Sequence, residues 1–219
     1  DGDGGPELTL VSQMGPDPVG SLRRFDGDAT VVYVGITVDA IGLDSHMMFA
    51  FTPPDSAVPH FTLDSVLAGP HNAFHLDLIP RVDPGANLAY LDHCFQPLTE
   101  AHDSAREIEG LELAHLSPRQ WQLMSAWMLA NRADDAGFAA IDPIVDTYRD
   151  HWLGLVTDGL PADVVDASAQ ELAARDGQNR AAIFNQDVDP VWAQIDRLLG
   201  EDTSADIQQR LRDAGREDA

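Results

Sequence analysis

Histidine and aspartate side chains recur within residues 59–83, and these are residue types that commonly transfer protons. The stretch holds His60 and Asp64 in one apolar-rich run, and His75 and Asp77 in the next. Proton transfer to an organic substrate needs a largely apolar pocket that also holds a few titratable groups. A site for acid–base chemistry is therefore the first functional hypothesis for this chain.

The same stretch has the pattern of a β-hairpin. Apolar-rich runs at residues 60–68 and 73–79 flank a Gly-Pro-His-Asn cluster at residues 69–72, which predicts a connecting loop longer than two residues. Alternate side chains of a strand point to opposite faces. The polar face would carry His60, Thr62, Asp64 and Val66 from the first run, and His75, Asp77 and Ile79 from the second. Such a face is most often the solvated side of an antiparallel sheet, and that interpretation stays open.

The order of the remaining elements predicts an α+β fold, with strands first and helices afterwards. Further strands are predicted at residues 7–14, 30–38 and 45–52, and residues 15–20 should break the first of them. Helices are predicted at residues 86–95 and 117–131, from residue 142, and near residues 161, 178, 190 and 204, whereas 107–116 is ambiguous. We expect one domain over residues 1–219, with residues 1–6 loose.

Composition limits the classes of partner. The net charge is −24, from 37 acidic and 13 basic residues, and every basic residue is Arg. Such a surface repels nucleic acid and anionic membranes, so neither is expected as a partner. No run approaches 18 apolar residues, and no signal-peptide pattern opens the sequence, so a cytoplasmic location is the default expectation.

The sequence offers little for a bound cofactor. Because Cys94 is the one cysteine, an internal disulfide and any multi-cysteine metal or iron–sulfur site are excluded. We expect Cys94 to lie in a helix with its thiol packed or partly packed against its neighbours. His71 and His75 are four residues apart, which on a strand separates them by roughly 13 Å, too far to bind one ion together. No glycine-rich phosphate loop is present. We therefore expect no resident metal or nucleotide cofactor.

About sixty residues resemble red chlorophyll catabolite reductase, of the ferredoxin-dependent bilin reductase superfamily. The match rests on Pro59-His60-Phe61 followed by Asp64, on residues 76–81 with Asp83, and on Tyr90-Leu91 followed by residues 98–100. The resemblance implies an α/β/α sandwich with a central antiparallel sheet. It also implies reduction of a linear tetrapyrrole, with electrons passing directly from reduced ferredoxin as an external donor and protons coming from the protein. No flavin or nicotinamide would be bound.

The resemblance also implies roles for individual residues. Asp64 would be the proton donor, and Asp187 a second catalytic carboxylate from the C-terminal segment. The substrate-binding residues would be His46, His60, Asp77 and Arg81. Asp189 has a simpler role available, because it precedes Pro190 and could cap the following helix. A rival alignment with the bilin reductases would instead bring in Asp176, Asn179 and Arg180.

Two functions from different classes stay open. The first is reduction of a linear tetrapyrrole, and the second is non-catalytic binding of a tetrapyrrole or another hydrophobic ligand on the same scaffold. The carboxylate at Asp64 favours the enzyme. The charge of −24 counts the other way, because a ferredoxin-like donor is itself acidic. A homodimer is also possible, and the sequence does not distinguish between tetrapyrroles.

Overall fold

The structure, a computed structural model, describes residues 6–69 and 71–216. Within these residues, eight strands form one antiparallel sheet in the order β1-β2-β3-β4-β5-β6-β8-β7. The strands are β1 (Leu8–Val11), β2 (Pro18–Phe25), β3 (Thr30–Val38), β4 (Leu43–Phe51), β5 (His60–Ala68), β6 (His71–Ile79), β7 (Leu111–Leu113) and β8 (Leu129–Ala133). Of residues 1–6, which were predicted to be loose, only Pro6 belongs to the described residues.

Helices cover both faces of this sheet, which confirms the predicted α+β sandwich. They are α1 (Leu88–Cys94), α2 (Thr99–Ala105), α3 (Pro118–Leu123), α4 (Asp135–Ala140), α5 (Asp142–Asp158), α6 (Ala169–Ile183), α7 (Val191–Leu199) and α8 (Glu201–Asp213). One core joins Leu76 and Leu78 of the sheet to α1, α2 and α5. The other joins Val34 and Phe49 to α7, α8 and the end of α6. Cys94 is fully buried in the first core, as predicted.

The central hairpin has the predicted faces and a shorter loop than predicted. Strand β5 ends at Ala68 and β6 begins at His71, and these two residues are paired. Gly69 has φ of +65°, a conformation that glycine adopts without the steric cost of a side chain. The register sets Asp64 opposite His75 and Thr62 opposite Asp77. All four side chains therefore belong to one face, while Leu76 and Leu78 belong to the other.

Several predicted boundaries are wrong. Strand β2 begins at Pro18 inside the predicted break, because a proline is tolerated as the first residue of a strand. Ser117 does cap α3, in a capping box with Gln120, but the helix ends at Leu123 and the chain re-enters the sheet as β8. Strand β7 (Leu111–Leu113) occupies part of the ambiguous segment 107–116. Near the C-terminus, α6 starts at Ala169, no helix starts at residue 161, and Ser204 lies inside α8.

Candidate functional site

A cavity of about 480 Å³ lies between the sheet and the segment that runs from α6 into α7. Strands β4, β5 and β6 form its floor, and the end of α6 with α7 forms its roof. Apolar lining residues include Met47, Phe49, Ile79, Phe184, Trp192 and Ile195. The titratable residues on its wall are Asp64, His75 and Asp189. An apolar cavity with a few convergent ionisable groups is typical of a site for an organic ligand.

Asp64 and His75 form a pair on the cavity floor. They are cross-strand partners, and His75 Nδ1 lies 3.5 Å from Asp64 Oδ2. Their side chains are only 28% and 20% exposed. On the side away from this contact, Asp64 Oδ1 and His75 Nε2 are buried with no hydrogen-bond partner, as is Thr62 Oγ1 beside them. Buried polar atoms are nearly always paired in folded proteins, so three unpaired atoms on residues of one cavity are unusual.

The pair holds a proton more tightly than either residue would in water. Burial raises the pKa of Asp64, because the charged carboxylate is desolvated. Burial disfavours the imidazolium of His75, but the neighbouring carboxylates Asp64, Asp77 and Asp189 outweigh it and raise the pKa of His75. In the protonated ring, Nδ1–H faces Asp64 and Nε2–H has no acceptor within the described residues. The pair is therefore a candidate proton source on the wall of the cavity.

Asp189 approaches the same cavity from the roof, in the connection between α6 and α7. Its Oδ1 accepts a hydrogen bond of 3.0 Å from the backbone N–H of Val191, which is the helix-capping role foreseen from the sequence. Burial and the facing charge of Asp64 raise the pKa of Asp189. Asp187, two residues earlier, is exposed and does not line the cavity. The second carboxylate of the site is therefore Asp189, and the candidate Asp187 lies outside it.

Asp77 shares the face of His75 but does not reach the cavity. It is fully buried, and both carboxylate oxygens accept hydrogen bonds from Ser125, at 2.9 Å from the backbone N–H and 2.5 Å from the hydroxyl. Burial raises the pKa of Asp77 to about 6. These bonds fix the loop after α3, whose Met124 lines the cavity. Asp77 is therefore placed to act on the site through its neighbours rather than by contact with a ligand.

His60 and Arg81 belong to a separate buried cluster around Asp176. His60 Nδ1 accepts from the backbone N–H of Thr52, so its Nε2–H donates to Asp176 Oδ1 at 2.8 Å. Burial and the adjacent Arg81 lower the pKa of His60 to about 3, so the ring is neutral. Arg81 and Arg180 contact the same carboxylate at 3.3 and 3.0 Å, and Arg216 also contacts it. The cluster ties β5, β6 and α6 to the C-terminal segment, and neither His60 nor Arg81 lines the cavity.

His46 is on the far side of the sheet. Alternation along β4 sends Met47 and Phe49 to the cavity and His46 to the opposite face. Its ring bonds to the hydroxyl of Tyr33 at 2.5 Å and contacts Asp44 at 3.1 Å. The predicted substrate contact for His46 is therefore not available through this cavity.

Sequence reasoning missed three parts of the site. His75 was visible on the polar face of the hairpin, but only the register shows that it is the partner of Asp64. Asp189 was masked by its plausible capping role. Ser125 carried no signal, because the hydrogen bond that it donates to Asp77 joins residues 48 positions apart.

The described part of the chain gives no sign of a metal centre or of a membrane span. Over residues 6–69 and 71–216, no three His, Cys, Asp or Glu side chains converge as metal ligands would. Among the helices formed by these residues, none combines the length and the apolar character needed to cross a bilayer.

Comparison with known proteins relates the chain by fold. No protein-family model matches the sequence, and no curated protein matches it. Solved structures do match, and they define the class of fold as the sandwich described above. One of them is the crystal structure of phytochromobilin synthase from tomato in complex with biliverdin. The match has a TM-score of 0.75 at 19% sequence identity, and it covers 95% of this chain and 74% of that one.

Proposed function

We propose that this protein reduces a linear tetrapyrrole bound in the cavity between the sheet and α7. The observation that carries the proposal is the partly buried Asp64–His75 pair, whose two residues both line an apolar cavity. A fold shared with a biliverdin complex supports the ligand class. The volume of about 480 Å³ is within the roughly 300 to 1,000 Å³ of sites for organic ligands of this size.

The chemistry would be addition of two electrons and two protons to one carbon–carbon double bond of the tetrapyrrole. Two molecules of a reduced ferredoxin-type iron–sulfur protein would each supply one electron and be oxidised. Protonated His75 would deliver a proton from the floor, and Asp64, which faces its Nδ1, would stabilise the imidazolium until that transfer. Asp189 can supply a proton from the roof, since its pKa is raised as well. The residues of the chain thus account for proton delivery, and the external donor accounts for the electrons.

A pocket with raised pKa values favours catalysis over simple carriage. A carrier gains nothing from a buried carboxylate, because desolvating an ionised group costs free energy. Perturbed pKa values concentrate at catalytic sites, where a group must hold its proton until it reacts. The alternative function is still binding without turnover, in which the pair would bind the pyrrole nitrogens or the lactam groups of the ligand.

Anaerobic incubation with biliverdin, and separately with red chlorophyll catabolite, distinguishes the two functions. Each is added with and without a chemically reduced ferredoxin system while absorbance is recorded. The reductase predicts a spectral shift on binding and then loss of the substrate band only when reduced ferredoxin is present. A stable shifted spectrum with no further change would identify a carrier, and no shift with either ligand would remove the tetrapyrrole proposal.

A further inference from the structure

The environment of His75 contains one carboxylate with no direct role in the proposed reaction. Asp64 faces the ring from β5, and Asp189 faces it from the connection into α7. Strand β8 places the uncharged Ala130 opposite His75. The remaining charged neighbour is Asp77, two residues along β6 on the same face, where it is sealed from the cavity.

Two hydrogen bonds from Ser125 hold the carboxylate of Asp77 in one orientation. Both its oxygens accept from Ser125, and the Ser125 hydroxyl in turn accepts from the backbone N–H of Trp127 at 3.0 Å. The hydroxyl proton is therefore directed to the carboxylate, a pattern that suits ionised Asp77. A fixed charge in a site of low dielectric acts strongly on a neighbour on the same strand.

We propose that Asp77 is a positioning residue that keeps His75 protonated for delivery of its proton, without touching the ligand. This inference rests on the proposed function for its purpose, but the charge coupling between the two side chains is a property of the free protein. Ionised Asp77 is one of the groups that raise the pKa of His75. Since the pKa of Asp77 is itself about 6, this support operates above that pH, where an isolated histidine would lose its proton.

The test is an NMR titration of the His75 ring in the ligand-free protein, with the signal assigned by its loss in His75→Gln. Asp77→Asn removes the charge and preserves the shape, so the His75 midpoint should fall by about one pH unit or more. Asp187→Asn removes an equal charge from the exposed part of the roof segment and should leave the midpoint in place. An unchanged midpoint in Asp77→Asn would overturn the proposal.

The wild-type protein gives an independent reading if Asp77→Asn does not fold. Its His75 signals should show a second inflection near pH 6 as Asp77 titrates, and a single inflection would overturn the proposal.

Enzyme kinetics provide a third measurement. Asp77→Asn should lower kcat with little change in KM, and by a larger factor at pH 8 than at pH 6. If Asp77→Asn shifts the His75 midpoint but the protein reduces no tetrapyrrole, the charge coupling is supported and the proposed function is rejected.

Discussion

His75 lies directly across the β5–β6 hairpin from Asp64, with Nδ1 3.5 Å from Oδ2. Because cross-strand partners are fixed by the register, a slip of β6 by one residue would send His75 to the other face, away from Asp64. The geometry of the proposed proton donor is thus determined by the pairing of β5 with β6.

Reduction should fall as the pH rises. Both members of the pair have raised pKa values, and the form that donates a proton is the protonated one. The alkaline limb of the kcat profile should therefore have its midpoint above 6.5, the ordinary value for histidine. His75→Gln should abolish that limb and lower kcat, whereas an unaltered alkaline limb in this variant would exclude His75 as the titrating group.

Asp189 and Asp187 offer a matched comparison. Asp189 lines the cavity and Asp187 is exposed two residues away. Asp189→Asn should lower kcat by roughly 10-fold to 100-fold, because a proton from the roof is lost. Asp187→Asn should stay within about twofold of the wild type. The reverse order would support the original assignment of Asp187 from the sequence and would mean that the roof segment moves when ligand binds.

Asp77→Asn should make the protein more stable at neutral pH. Folding raises the pKa of Asp77 from 3.8 to about 6, so the folded state binds more protons between these values and the free energy of unfolding falls as pH rises. Removing the charge should therefore relieve a cost of up to roughly 3 kcal/mol at pH 7 and none near pH 4, offset in part because an Asn side chain cannot accept both bonds from Ser125. Ser125→Ala should destabilise the protein at pH 7. Denaturant unfolding measures both, and a destabilised Asp77→Asn at pH 7 would contradict the cost assigned to this charge.

The cluster around Asp176 should matter for stability. Burial would raise the pKa of Asp176, but its bond from His60 and the charge of Arg81 hold it well below the ordinary range. The stability that ionised Asp176 contributes is present above the pKa that aspartate has in the unfolded chain, and it is lost as pH falls through the lower pKa of the folded state. Asp176→Asn should cost roughly 3 to 5 kcal/mol at pH 7, since it leaves buried arginines without their counter-charge. Asp146→Asn, which breaks an exposed pair with Arg149, should cost at most about 1 kcal/mol.

The α+β class and the faces of the hairpin were predictable from the sequence because alternation and proline-marked helix starts are local signals. The second carboxylate was not. Asp187 and Asp189 are two residues apart in an irregular segment, and only the packing of that segment on the sheet decides which one enters the cavity. The helix predicted through residue 131 failed for a related reason. Ser125 donates hydrogen bonds to Asp77 of a distant strand, and the chain then continues into the sheet as β8.

His46 illustrates a different limit. Alternation along β4 separates His46 from Met47, but both faces of this sheet are covered by helices and both carry apolar residues. Nothing local indicates which of the two layers contains the cavity. The position of His60 is similar: it shares a face with Asp64, yet it lies at the far end of β5, where α6 buries it against Asp176.

The most direct test of the account is single-turnover reduction of bound biliverdin by the wild type and by Asp64→Asn, with an excess of reduced ferredoxin. Asp64→Asn preserves the shape of the side chain and removes the carboxylate that keeps His75 protonated. We expect unchanged binding and a rate of reduction lower by roughly 100-fold or more, the usual range when general acid catalysis is lost. Asp64→Glu should keep partial activity. Reduction by Asp64→Asn at the wild-type rate would contradict the assignment of the Asp64–His75 pair as the proton donor.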